Sequence, residues 1–465
     1  MKKLSKLWVT FQTMNLQERQ GCQDWLEAPF HNVPVACKVY YQVLLKEFQV
    51  DKPPEKQLLF LKVFPDRMYD DQMMRLLESQ LLKHLEKYLI FLHQDDKSLD
   101  VLWWKSNLFQ ERKLIKNQQA VLHQIAATLE RQNLRNADYH WHQYKLSYQK
   151  TLLTQHQQKD SGQELQSHFE LLDDAYISAI LRQTCYLLAN QSVYDTHFDL
   201  GVLPFILDYL KTRTRPLVPA IEVYLAYYRL ITDPQQQENF YQFYHHLENY
   251  HGLLPENEQR DLYLAANNFC IRQLNKGQKE FEQTALDIYK RILNKNLFKE
   301  GMSYLTFSNI VALALKIGDL DWAERFIRTH SADLLDEDRE GSMALNLARL
   351  AYSRKNYSAA LTLLQKADFR NLLNHLVAKS LLIKVYYEAG EHETLDYQLT
   401  AMKAFLYRHK VMGWHKQAFL NLLRYTTLLL KRPSMSKLLV QQTLTKIKTT
   451  ENFWEKEWLI RQFEK

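Results

Sequence analysis

The stretches Gly318-Asp319-Leu320-Asp321-Trp322-Ala323, Lys355-Asn356-Tyr357-Ser358-Ala359-Ala360 and Gly390-Glu391-His392-Glu393-Thr394-Leu395 decide how this chain folds. In each, a small or flexible residue closes one helix, and Ala or Leu follows where a second helix presses back on the first. Ala323 and Ala360 are 37 residues apart, and Ala360 and Leu395 are 35 apart. That recurrence predicts three consecutive helical hairpins over residues 304–406.

Two further hairpins precede them. Residues 220–231 turn at Asp233-Pro234 into 238–250, and residues 260–274 turn at Lys276-Gly277 into 281–293, with Ala285 standing 38 residues before Ala323. The period is close to the roughly 34 residues of tetratricopeptide repeats, and the run exceeds the three units that stacking needs for stability. Upstream, residues 114–133, 139–157 and 165–191 read as longer helices, the last of them open to a break. The expected fold class is therefore all-α, a tetratricopeptide-like α-solenoid with an N-terminal helical domain. The expected division is residues 1–105 for that domain, 106–216 for a long-helix first half of the array, 217–432 for the hairpins and 433–465 for a basic C-terminal cap.

Composition agrees. The chain has 465 residues and only 10 glycines, about a third of the ~7% average, so tight loops are few. Its four cysteines, Cys22, Cys37, Cys185 and Cys270, have neither the spacing of a zinc site nor that of a disulfide framework. They read as small buried apolar residues of a protein in the reducing cytoplasm. No apolar run approaches the ~18 residues of a membrane span. The net charge is +7, and the last 63 residues alone carry 13 Lys and Arg against 4 Glu. This basic end reads as a solvated cap, or as a landing surface for an acidic partner, nucleic acid or anionic lipid.

In the N-terminal region, Pro29 and Pro34 separate a helix at 16–26 from one at 35–48, and Pro53-Pro54 ends the second. Residues 70–92 carry Met73, Leu76, Leu77, Leu81, Leu85, Tyr88 and Leu89 at helical spacing. The pieces Ala28-Pro29-Phe30-His31-Asn32, Leu61-Lys62-Val63-Phe64-Pro65-Asp66, Tyr69-Asp70-Asp71-Gln72 and Arg75-Leu76-Leu77-Glu78-Ser79-Gln80-Leu81-Leu82 resemble the N-terminal signature of a family of uncharacterised bacterial helical-repeat proteins. Glu455-Lys456-Glu457-Trp458-Leu459 is similar to that family's ending. The resemblance implies the helical-repeat architecture and brings no assigned activity. A second resemblance, of the Phe-Pro-Asp turn and the helix bearing Arg75, Ser79 and Lys83, is to winged-helix regulators that precede tetratricopeptide-like repeats. It implies DNA binding, but residues 92–109 read as a helix where a wing needs strands, and Asp70, Asp71, Glu78 and Glu86 would repel phosphate.

Motifs for chemistry are missing from the sequence. His140-Trp141-His142 and His245-His246 lack the i,i+4 spacing of a helical zinc site, and the acidic run Asp333, Asp336, Glu337, Asp338 lacks the glycine of a calcium loop. No glycine-rich phosphate loop or nucleophile elbow occurs. The sequence thus reads as a binding protein, not an enzyme, with no cofactor or metal. It is a scaffold for a protein or peptide partner, with a nucleic-acid-associated regulator as the alternative. The candidate partner-binding residues are Arg349, Tyr352, Lys384 and Tyr387, whose 35-residue offsets stack two cations and two tyrosines in register, suited to an acidic or C-terminal carboxylate. Ala312 and Leu315 occupy the same positions one repeat earlier and interrupt the ladder.

Overall fold

A computed structural model describes residues 5–47, 55–93, 98–155, 162–194, 196–334, 339–366, 372–408 and 413–465. Twenty-three α-helices form among them, and the single β-bridge joins Met302 to Leu334. The Pro53-Pro54 break, residues 336–338 of the acidic run and residues 156–161 lie outside the described residues.

The chain divides into two compact units, residues 1–132 with 141–172, and residues 133–140 with 173–465. The first contains α1 (Lys6–Thr13), α2 (Leu16–Glu27), α3 (Val35–Glu47), α4 (Lys56–Val63), α5 (Asp71–His93), α6 (Leu99–Glu111) and α7 (Ile115–Arg131). Asn15 opens α2 with a capping box, its side chain and that of Glu18 each accepting the other's backbone N–H. Helix α5 packs against α1, α2 and α3. Its buried stripe is Met74, Leu77, Leu81, Leu85 and Tyr88, whereas Leu76 is 59% exposed and Met73 only partly buried. The apolar run at 73–77 is continuous enough to permit either phase, and tertiary packing selects Met74.

Helices α8 (Ala137–Gln155) and α9 (Gly162–Tyr194) contribute to both units. Helix α9 is one unbroken helix of 33 residues, since no proline or further glycine follows Gly162 within it.

The second unit continues with α10 (Leu203–Thr212), α11 (Pro219–Thr232), α12 (Gln237–Tyr250), α13 (Glu256–Asn275), α14 (Phe281–Asn294), α15 (Tyr304–Ile317), α16 (Leu320–His330), α17 (Arg339–Ser353), α18 (Tyr357–Lys366), α19 (Leu372–Glu388), α20 (His392–Arg408), α21 (Gly413–Leu430), α22 (Lys437–Thr449) and α23 (Lys456–Glu464). Consecutive helices pack in pairs from α11/α12 to α19/α20, and the first helices α15, α17 and α19 also touch one another in sequence.

Four of these pairs turn by the same device. Gly277, Gly318, Lys355 and Gly390 have left-handed φ of 91°, 92°, 59° and 79°. In each turn the next residue's N–H reaches back five residues, Gln278 to Gln273, Asp319 to Ala314, Asn356 to Ala351 and Glu391 to Tyr386, at 2.8–3.1 Å. This is the Schellman closure, which satisfies carbonyls that the helix end leaves unpaired. Lys355 adopts without glycine a backbone that glycine adopts freely. Ala323, Ala360 and Leu395 then fall five residues past the left-handed position and are fully buried. Ala285 is equally buried but is reached after three more residues, because the α13/α14 turn is longer. Its carbonyl accepts from the buried Asn267 at 3.1 Å.

No described helix is long and apolar enough to cross a membrane. All four cysteines are buried free thiols.

Candidate partner-binding surface

The shared turn sets the register of the first helices. Six residues before each left-handed position stand Ile271, Ala312, Arg349 and Lys384, and three residues before it stand Leu274, Leu315, Tyr352 and Tyr387. The four residues singled out by sequence are thus equivalent in pairs, and the structure brings them together on α17 and α19. Lys384 Nζ lies 4.7 Å from the centre of the Tyr352 ring, a cation–π contact.

These residues do not form an open ladder. The C-terminal segment lies across them. Lys384 is ion-paired to Glu455 at 3.0 Å. Trp458 stands edge-on to Tyr387, with ring centres 5.6 Å apart. Arg349 bonds Asn346 at 3.2 Å; burial presses its pKa down, and nearby Glu455 partly offsets this. Further along, the Trp454 indole N–H donates to Ser380 at 3.2 Å and its ring packs on Phe419 of α21. Asn421 holds the carbonyl of Asn452 at 3.1 Å, and Glu457 reaches Lys316 of α15 at 3.9 Å.

Glu388, at the end of α19, gathers donors from both sides. It accepts from the hydroxyls of Tyr352 and Tyr357, from the Trp458 indole at 2.8 Å and from Gln462 at 3.2 Å. Burial acts to raise its pKa, but the hydrogen bonds from Tyr352, Trp458 and Tyr357 outweigh that, and the carboxyl titrates below its ordinary value. Burial and this carboxylate together push the Tyr352 phenol up. The hub thus stays ionised, with its phenols protonated, at neutral pH.

Trp458 and Leu459 are buried and Trp454 is half-buried, while residues 451–455 are not helical and α23 begins only at Lys456. Asn452 and Glu455 have φ of 50° and 57°, which carries the chain off the helical path. Of the basic residues here, Lys437, Lys446 and Lys448 are exposed on α22. Lys456 donates to the carbonyls of Lys448 and Thr450, and Lys448 pairs with Glu464 at 3.1 Å.

A second surface, which sequence reading missed, is open. Two adjoining recesses of about 590 and 320 Å³ run across α9, α11 and α13 and share Ala189, Tyr227, Ala265 and Asn268. Alanines make the floor; Tyr186 and Asn268 are exposed at the sides, and Arg272 and Lys276 are exposed at one end. At the other end Arg182, Tyr224 and Glu258 are tied together, the ion pair measuring 3.0 Å. Beside it, Asp174 is clamped by the buried Arg213 at 2.7 Å and by Arg215 at 2.8 Å, so the basic connection after α10 is structural in part.

The remaining candidates resolve into packing. His140 is buried, and burial lowers its pKa; His142 accepts the indole N–H of Trp103 at 3.1 Å. His246 stands 3.4 Å from Glu222. Among the described residues no three His, Cys, Asp or Glu side chains are grouped as a metal site. Phe240 and Phe243 are fully buried, whereas Tyr241 of the same aromatic cluster is 51% exposed. In the region that resembles a winged helix, residues 99–111 form α6 and not a strand pair, and Lys56 and Glu78 are ion-paired at 2.7 Å. Comparison with family models, with curated proteins and with solved structures returned no match.

Proposed function

We propose that the hairpins from α11 to α21 form a tetratricopeptide-like array and that the protein is a non-catalytic scaffold, holding a protein partner against that array. The observation that supports this most is the open groove over α9, α11 and α13. It draws its lining from three helices and joins aromatic side chains to an exposed cationic end. A surface of this kind grips an extended or helical polypeptide at several points at once. The four buried thiols fit a cytoplasmic setting.

The reading is tested by placing a photo-crosslinking residue at Asn268 and identifying captured proteins from the native host by mass spectrometry. Ala265→Arg, which fills the groove floor, should abolish the specific capture while leaving the helical circular dichroism signal intact. Capture that survives Ala265→Arg would remove the groove as the partner surface. The exposed lysines of α22 keep nucleic acid as the alternative partner; it requires binding that falls steeply with salt, and no binding to DNA or RNA at low salt would exclude it.

A further inference from the structure

The groove over α9, α11 and α13 is not uniform along its length. Asn257, Asp261, Ala265, Asn268, Arg272 and Lys276 follow one another on α13 at intervals of three and four residues, so a single face of that helix lines one side of both recesses. At the Asn257 end the charges already have partners. Glu258 holds Arg182 at 3.0 Å and the Tyr224 hydroxyl at 2.5 Å, and Asp261 holds Arg260 at 3.2 Å. At the other end they do not. Arg272 and Lys276 are both exposed, and among the described residues neither meets a carboxylate; Lys276 reaches only the amide of Gln235, at 3.3 Å. The groove therefore offers a ligand two cations one turn apart.

Between the ends one wall is fixed and the floor is low. Tyr227 stacks on the buried Phe243 with ring centres 5.0 Å apart, and the small residues Ala189 and Ala265 belong to both recesses. Asn257 and Asn268 are exposed, and their carboxamides bond no other described residue. A carboxamide donates and accepts at once. That matches the N–H and C=O groups which an extended backbone exposes and which a helix keeps for itself.

We infer that this groove takes an extended segment of a protein partner that carries two apolar side chains at alternate positions and, beyond them, an internal acidic residue seated between Arg272 and Lys276. The inference rests on the scaffold reading above and adds the partner's chemistry and conformation. In an extended chain alternate side chains share a face and stand about 6.6 Å apart, and two recesses with four lining residues in common suit two such side chains. Arg272 follows Asn268 by one turn of α13, about 6 Å. A backbone bonded to Asn268 thus brings its next side chain on that face to the cations. A basic segment would be repelled there, and a helix would leave both carboxamides unused.

The test selects random peptides of about twelve residues, displayed on phage, against the immobilised full-length chain. Each peptide is fused at its C-terminus, so no terminal carboxylate is free. Those that lose binding to the Ala265→Arg chain lie in the groove. They should share an acidic residue about two positions from an alternating apolar pair. Synthetic copies, acetylated and amidated, should bind the Arg272→Glu/Lys276→Glu chain at least about tenfold more weakly than the native one, and Asn268→Ala about threefold more weakly. Lysine in place of the peptide's acidic residue should restore binding to the charge-reversed chain, which a merely structural effect of the two changes would not do. Asn268, Arg272 and Lys276 are exposed, so these variants keep the packing of α13. Groove peptides without an acid, or with equal affinity for the native and charge-reversed chains, would overturn the inference and leave the scaffold reading standing. Full binding to Asn268→Ala, together with loss of binding when proline replaces a central residue of the peptide, would assign the groove to a helical ligand and overturn it too. If no selected peptide depended on Ala265, the groove itself would be removed as the partner surface, and the inference with it.

Discussion

Lys384 on α19 and Glu455 at the head of α23 are ion-paired at 3.0 Å across 71 residues of sequence, and this pair ties the C-terminal segment to α19. Their side chains are 12% and 29% exposed, so the pair is screened less than one on the open surface. A double-mutant cycle with Lys384→Ala and Glu455→Ala should show a coupling of about 1 kcal/mol. Strictly additive losses in urea titration would mean that the two charges do not act on each other.

Glu388 is expected to make the C-terminal closure sensitive to acid. Its pKa is lowered in the folded protein, so its contribution is fully present above the unfolded value of about 4.3. That contribution is lost as the pH falls through the folded value. Glu388→Gln removes the charge and leaves one oxygen to serve the donors of Tyr352, Tyr357, Trp458 and Gln462. It should cost about 2 kcal/mol at pH 7 and flatten the acid limb of the stability profile. Parallel profiles for the native and variant proteins below pH 5 would show that this carboxylate is not part of the acid response.

The hairpins were legible because their signal is local. Ala323, Ala360 and Leu395 recur at the place where two helices joined by a tight turn must touch, and nothing distant is needed to bury them. The register of Arg349 with Lys384 and of Tyr352 with Tyr387 was legible for the same reason. Their covering was not: Glu455 and Trp458 arrive from some 70 residues away, and the turn that brings them depends on left-handed backbone at Asn452, a residue type that tolerates it, and at Glu455, where no local propensity signals it. The α9–α11–α13 groove was illegible for a related reason. Its walls come from three helices, and which side of each helix faces the recess is decided by packing.

Gly21 offers a local test of the N-terminal unit. It sits inside α2, where replacement by alanine ordinarily stabilises by about 1 kcal/mol. Here a Cβ would lie 2.5 Å from the hydroxyl of Tyr88, whose ring is buried and packed on Trp25. The clash should outweigh the helix gain, so Gly21→Ala is expected to destabilise by about 1–2 kcal/mol. Tyr88→Phe removes the obstructing oxygen, and in that background Gly21→Ala should become neutral or stabilising in thermal denaturation. A loss of the same size in both backgrounds would mean that α2 and α5 do not meet at this point.

The equivalence of the hairpins makes the most direct prediction. Ala323 and Ala360 follow the same left-handed turn by five residues and are both fully buried, as is Ala285 after its longer turn. A glutamate at any of the three would place a carboxylate in an apolar cluster. Burial of an unpaired charge adds to overpacking, and each change should cost about 3 kcal/mol or more. Ser358, two residues before Ala360 and exposed, supplies the control, since Ser358→Glu should stay within about 0.5 kcal/mol of the native protein. Urea titration of the four variants, followed by far-ultraviolet circular dichroism, reads both the loss and its cooperativity. Three large, similar losses beside an unchanged control would be the mark of one packing position repeated along the chain. If Ala360→Glu proved as mild as Ser358→Glu, the helices α17 and α18 would not press together at this residue, and the repeat register drawn from the turns would fail with it.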